Sequence, residues 1–330
     1  MQERFFYHSF PRRGSSTKEE AEKGCKILAA IRDFGLLLTP ETIEWKQPSV
    51  GNAQPRIFPL LQKRVCFTEL SPSEISEHAE KFGHFALEFE IDTVRRLGAA
   101  PVFYVPQPTS NAADGSSIGT SLLAMAMDSH AIIQRMATLN QVLQGPTPVS
   151  ESFNFDVGFA RSPDGRGSYS INRDEAKNLL AAIGHAVTPW NDLNAGTFAL
   201  LNFFYPTDNK RQDRSLEYYR QREWRIACNF RLNNSDGTSV DVLHVPTQQE
   251  RARFLDIDKQ FFERQISTDT GMAETLEQSL VCPGLHGKRL IEMVRRIVVP
   301  DEAICCTKEI LAVLPESVFE ALKNIYNRLN

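Results

Sequence analysis

An α+β fold, with a mixed and mainly antiparallel sheet core and flanking helices, is what this sequence predicts, and three observations carry the prediction. Strand-like and helix-like stretches interleave irregularly instead of alternating one for one, which argues against a doubly wound parallel sheet. Several apolar runs are short, aromatic-rich and separated by hairpin-length gaps. Neither the glycine fingerprint of dinucleotide-binding folds nor a P-loop occurs, so those nucleotide sites have no support.

The elements follow in order. RFFYHSF (4–10) reads as a first strand closed by Pro11. Lys18 to Phe34 follows as an amphipathic helix, with Ala21, Cys25, Leu28 and Ile31 at helical spacing. Thr17, Glu19 and Glu20 mark its start and Gly35 its stop. LLLTPETIEW (36–45) is extended but interrupted at Pro40, and 48–59 reads as loop from its Pro, Gly and Asn. KRVCFTEL (63–70) is a strand and SPSEISEHAEKFG (71–83) a short capped helix with Pro72 in its first turn. HFALEFE (84–90) reads as a half-buried strand, IDTVRRLG (91–98) as helical turns, and APVFYVP (100–106) as another strand.

The chain is expected to be a single compact domain over 1–330, with 107–200 a mostly helical insertion. A long helix is predicted over 119–143, a polar turn or loop at 162–170 and a helix over 174–187. FALLNFFYP (198–206) reads as a strand. REWRIACNFRL (222–232) is a stronger one, placing Trp224, Ile226, Cys228, Phe230 and Leu232 on one face. VLHVP (242–246) and RRIVVP (295–300) are further strands, and 315–328 a last helix.

Whole-chain properties bound the function. The net charge of −4 gives no global attraction to nucleic acid or anionic membrane. The apolar runs are too short to cross a bilayer, and the first residues lack the apolar core of a secretory signal, so a soluble cytoplasmic protein is expected. None of the six cysteines forms a CxxC; they read as reduced, packed thiols. The seven histidines lack ligand spacing, so no metal site is expected.

Three stretches hold residues able to carry chemistry: YHSF (7–10), VCFTEL (65–70) and RQREWRI (220–226). VCFTEL, a short helix and KFGHFALEFE (81–90), followed later by REWRI, together resemble the AbiGi-type abortive-infection family of phage resistance. The likeness covers about residues 1–105 and 215–230. That family is described as the antitoxin half of a phage-exclusion pair, which implies a partner protein of the same defence system and no chemistry of its own.

A second resemblance concerns fold. An aromatic-His strand, a helix, FGLLLT (34–39), a strand with Phe-Thr and a late strand opened by Glu are similar to ADP-ribosyltransferase-like domains. The likeness implies NAD as substrate, with His8 holding the adenosine-side ribose, Phe67 or Thr68 beside the nicotinamide, and Glu223 as the catalytic carboxylate. A fixed carboxylate stabilises the oxocarbenium-like state formed as nicotinamide leaves. Arg222 and Arg225 would hold the pyrophosphate. The chain departs from the better-known transferases in having no E-x-E before that strand and no S-T-S after Phe67, which argues against protein-arginine modification.

Each residue also has a plainer reading. Glu223 among arginines is equally an ion pair on a strand, and alternation puts Arg225 on its face. His8 between aromatics is equally a core histidine. Thr68 suits a strand edge, and Glu69 is an alternative carboxylate. From Asp208 to Arg231, Lys210, Arg211 and Arg214 with Tyr218 and Tyr219 make a basic, aromatic stretch. It would suit single-stranded nucleic acid, or equally a solvated surface.

Overall fold

The computed structural model describes residues 4–11, 17–47, 56–105, 136, 152–157, 167–178, 181, 200–206, 222–228, 231–233, 239–268, 271–314 and 327–328. The chain divides into two compact units: Met1–Thr120 with Asn202–Asn330, and Ser121–Leu201. In the second unit the described residues include an antiparallel pair, β7 (Ser152–Val157) and β8 (Gly167–Asn172), and a helical turn at 173–178. The strand at 167–170 replaces part of the predicted polar turn; 119–143 lies outside the described residues apart from 136.

The first unit is α+β with a mainly antiparallel sheet and flanking helices, as the sequence predicts. Its first strands are β1 (Phe5–Phe10), β2 (Leu36–Gln47), β3 (Arg56–Leu70), β4 (Phe85–Phe89), β5 (Ala100–Pro101) and β6 (Phe103–Val105). After the second unit come β9 (Phe204–Pro206), β10 (Glu223–Ala227) and the pairs β11–β12 (Arg231–Asn233, Ser239–Asp241) and β13–β14 (Gln265–Thr268, Gly271–Glu274). Then follow β15 (Leu280–Cys282), β16–β17 (Gly284–Leu285, Lys288–Arg289), β18 (Arg296–Val299) and β19 (Asn327–Arg328). Among the described residues of this unit the α-helices are α1 (Thr17–Phe34), α2 (Ile75–Phe82), α3 (Ile91–Arg96), α4 (Gln248–Phe262) and α5 (Ile304–Leu311).

The nine-stranded sheet runs β15-β2-β3-β1-β4-β18-β19, with β10 on β3 and β5 on β10. Two strands share one edge of β3: β2 takes 56–64 and β1 takes 68–70. β10 meets 64–68 from the other edge, since Arg64 and Thr68 each have partners on both sides. β3 begins at Arg56, not Lys63, because it is half of a long hairpin with β2. β2 also runs through Pro40, where its outer edge has already lost β15, a position that tolerates a residue without an N–H.

α1 packs Ala21, Cys25, Leu28 and Ile31 onto Phe6, Phe10, Phe67, Phe85 and Leu87. Gly24 lets the helix approach closely: a Cβ there would lie 2.2 Å from the Phe85 ring. Gly35 stops α1 at φ 111°, as its position in the sequence suggests. β4, read as half-buried, is buried on both faces. Three other strand predictions shorten: 198–206 to β9, 222–232 to β10 and a separate β11, and 242–246 to one bridge at His244. Of the predicted last helix, 315–326 lies outside the described residues and 327–328 is β19.

The expectation of reduced, packed cysteines needs correction. Cys25 on α1 and Cys306 on α5 are joined by a disulfide, their Cα atoms 6.3 Å apart. Cys66, Cys228, Cys282 and Cys305 are free thiols, and Cys305 is exposed. Among the described residues no helix is long and apolar enough to cross a membrane.

Candidate functional site

The strands named by the second resemblance are neighbours: β10, β3 and β1 lie side by side. Register then decides which side chains share a face, because directly opposed residues project the same way and sequence neighbours do not. Glu223 opposes Thr68, Thr68 opposes Tyr7, Tyr7 opposes Glu88 and Glu88 opposes Arg296. A polar row thus crosses β10, β3, β1, β4 and β18 on one face. One step along, Trp224 opposes Phe67, while His8 and Ile297 both oppose Leu87, making an apolar row on the other face.

His8 therefore sits on the opposite face of the sheet from Glu223 and Thr68, which corrects the expectation that all three gather around one NAD. Its Nδ1 lies 2.9 Å from the Cys66 carbonyl and donates to it, in the stretch of β3 that neither β2 nor β1 pairs. Its ring lies 5.9 Å from those of both Phe10 and Phe67. Burial lowers its pKa, against the opposing pull of that backbone bond. Phe67 is 0% exposed and edge-on to Phe89 at 5.5 Å, so it packs the core and offers no face to a nicotinamide. Thr68 is buried too.

On the polar face Glu223 is fully engaged. One oxygen takes the Arg225 Nε–H at 2.7 Å, the other the Tyr104 hydroxyl at 2.7 Å, and the Cys66 thiol donates as well. The side chain keeps 9% of its surface. Burial alone would raise its pKa, but the Arg225 charge and these donors outweigh it and hold it at about 2. The same surroundings push the Cys66 thiol up to about 12, burial first and the Glu223 charge second. Desolvation and the same carboxylate raise Tyr104.

Arg225 is 1% exposed and reaches Gln62 Oε1 at 3.3 Å and the Asn202 carbonyl at 3.4 Å. Gln62 also accepts from Arg64 at 2.8 Å and donates to the Phe204 carbonyl at 2.8 Å, and Arg64 bonds Glu41. Both guanidinium groups lie against the Tyr205 ring, Arg225 at 4.8 Å and Arg64 at 5.3 Å. Farther along the face, Glu88 is 0% exposed, accepts from Tyr7 at 2.5 Å and pairs with Arg295 and Arg296. Arg295 also stacks on Phe5.

The expected pyrophosphate clamp is not formed either. Arg222 leaves the strand at φ 42° and bonds Glu74 at 2.9 Å, while Arg225 is sealed inside. Glu69, the alternative carboxylate, pairs with Arg4 at 3.3 Å. Lys210, Arg211, Arg214, Tyr218 and Tyr219 lie outside the described residues.

Sequence reading missed Tyr104, Gln62, Arg64, Tyr205 and the Tyr7–Glu88–Arg296 group. One signal was present: Gln62, Arg64, Cys66 and Thr68 alternate along β3 with Leu61, Lys63, Val65 and Phe67, marking one face as polar while the other is apolar except at Lys63. Among the described residues no group of His, Cys, Asp and Glu is placed to hold a metal ion. No protein-family model matches the chain, and neither the curated proteins nor the solved structures yield a match.

Proposed function

We propose that this protein works by binding a partner protein, as the non-catalytic antitoxin or sensor half of a phage-resistance pair, in the cytoplasm. One observation carries the choice against an NAD-consuming transferase. Glu223, the carboxylate that such a reaction would place against the ribose, has both oxygens committed to Arg225 and Tyr104 and keeps 9% of its side-chain surface. Preorganised charge accelerates a reaction only where the reacting atoms can reach it. His8, on the other face of the sheet, completes no site with it. The partner reading is supported by the resemblance of VCFTEL, KFGHFALEFE and REWRI to the abortive-infection family.

Two measurements test it together. Co-expression with a toxic protein encoded beside such an antitoxin is expected to restore growth, and the double variant Glu223→Gln with Arg225→Met, which leaves no buried ion unpaired, to leave that rescue intact. Incubation with labelled NAD, with and without that neighbour, is expected to release no nicotinamide. Turnover of NAD that disappears in that double variant, while it stays folded by urea unfolding, would overturn the proposal in favour of the transferase.

A further inference from the structure

The Cys25–Cys306 disulfide joins α1, the helix seated on the apolar face of the sheet, to α5, which follows β18 after a short 3-10 turn at Asp301–Ala303. Its two sulfurs are unequally reachable. Cys25 keeps 8% of its surface, whereas Cys306 is half-buried and its neighbour Cys305 is an exposed free thiol. The contact beneath does not depend on the bond alone: Ile304, Ile310, Leu311 and Leu314 pack into the same core as Leu28 and Ile31. Arg32 of α1 also donates to the Ile310 carbonyl at 3.0 Å. Breaking the cross-link would therefore leave a docked but less restrained helix.

We propose that Cys25–Cys306 is a redox-responsive clasp, closed by oxidation and opened by small thiols such as glutathione, that sets how often α5 opens from α1. The inference goes beyond the partner-binding reading and does not require it. In the opening step a monothiolate attacks Sγ of Cys306, the more accessible sulfur; the S–S bond breaks and Cys25 leaves as a thiolate that takes up a proton. A second monothiolate attacks the mixed disulfide and frees Cys306. Two thiols are thereby oxidised to one disulfide as the protein disulfide is reduced to two thiols. Glutathione disulfide reverses the sequence.

The experiment uses the full chain, equilibrated without denaturant over a series of ratios of glutathione to glutathione disulfide, acid-quenched, labelled with a maleimide and weighed. Cys25 and Cys306 are expected to change together, while Cys305 stays a free thiol in the reduced members and Cys66, Cys228 and Cys282 stay out of the exchange. Hydrogen exchange across 304–311 is expected to quicken by about one to two orders of magnitude on reduction, the scale that losing a cross-link carries, with β1 and β4 unchanged. Cys306→Ser should reproduce the fast exchange under oxidising conditions, and Cys305→Ser should leave the titration as it was. Absence of a Cys25–Cys306 linkage after oxidation, resistance to glutathione unless urea is added, or equal exchange in both states would each overturn the proposal.

Discussion

Two adjacent rows of side chains cross the same five strands, and they are held by different physics. The apolar row, Trp224, Phe67, His8, Leu87 and Ile297, faces the core that α1 covers. The polar row, Glu223, Thr68, Tyr7, Glu88 and Arg296, is buried by the β6–β9 ribbon at one end and tied by Arg295 and Arg296 at the other. Dispersion and the hydrophobic effect tolerate small changes of shape in the first. The second depends on every charge keeping its partner, since a buried ion is stable only while it is paired and hydrogen-bonded. A charge motif at the start of a strand thus resembles a catalytic one in sequence while serving the opposite purpose in space.

The contrast is sharpest for Arg225. Arg225→Ala leaves Glu223 buried without its cation and is expected to lower stability in urea unfolding by about 3–5 kcal/mol. The double variant Glu223→Gln with Arg225→Met removes both charges and should recover most of that loss; a double variant as unstable as the single one would break the distinction between the rows. In the apolar row, Leu87→Ala is expected to destabilise by about 2–5 kcal/mol through the cavity it leaves, equally at pH 7 and pH 5.

Acid separates the rows next. Glu223 has its pKa depressed in the folded chain, so its stabilisation is complete above the unfolded value of 4.5 and is lost as pH falls towards about 2. Urea midpoints measured down that range should drop for the natural chain and less steeply for Glu223→Gln. Tyr104→Phe, which takes one donor from the carboxylate, is expected to lower stability by about 1.5–3 kcal/mol. Smallest is a change outside both rows: Thr247→Ala, removing the side chain that caps α4, should lower stability by about 1 kcal/mol.

Much of the fold was legible because its signals are local. The period of α1, the capping box of Ser71 and Glu74, and the aromatic runs of β1 and β4 each mark their element within a few residues. The length of β3 was not, because Pro59 looks like loop until β2 is set against it. At the site, strand alternation correctly placed Arg225 on the face of Glu223. It did not reveal Tyr104, 119 positions from Glu223, or the covering backbone of Asn202 and Phe204. These depend on how distant segments dock. The Cys25–Cys306 pair was hidden for the same reason, being 281 positions apart with no spacing to announce it.

The parallel pairing of β6 with β9, Phe103 to Phe204 through Val105 to Pro206, sets the two ends of the intervening chain side by side. The polypeptide departs from the main body and re-enters it at adjoining strands, both pinned to the sheet by buried side chains. Closure entropy grows slowly with length, about 0.6 kcal/mol per doubling, so what lies between these two strands can be exchanged or enlarged while the body goes on folding around the same junction. Such a junction acts as a socket: lengthening what it carries costs the scaffold little.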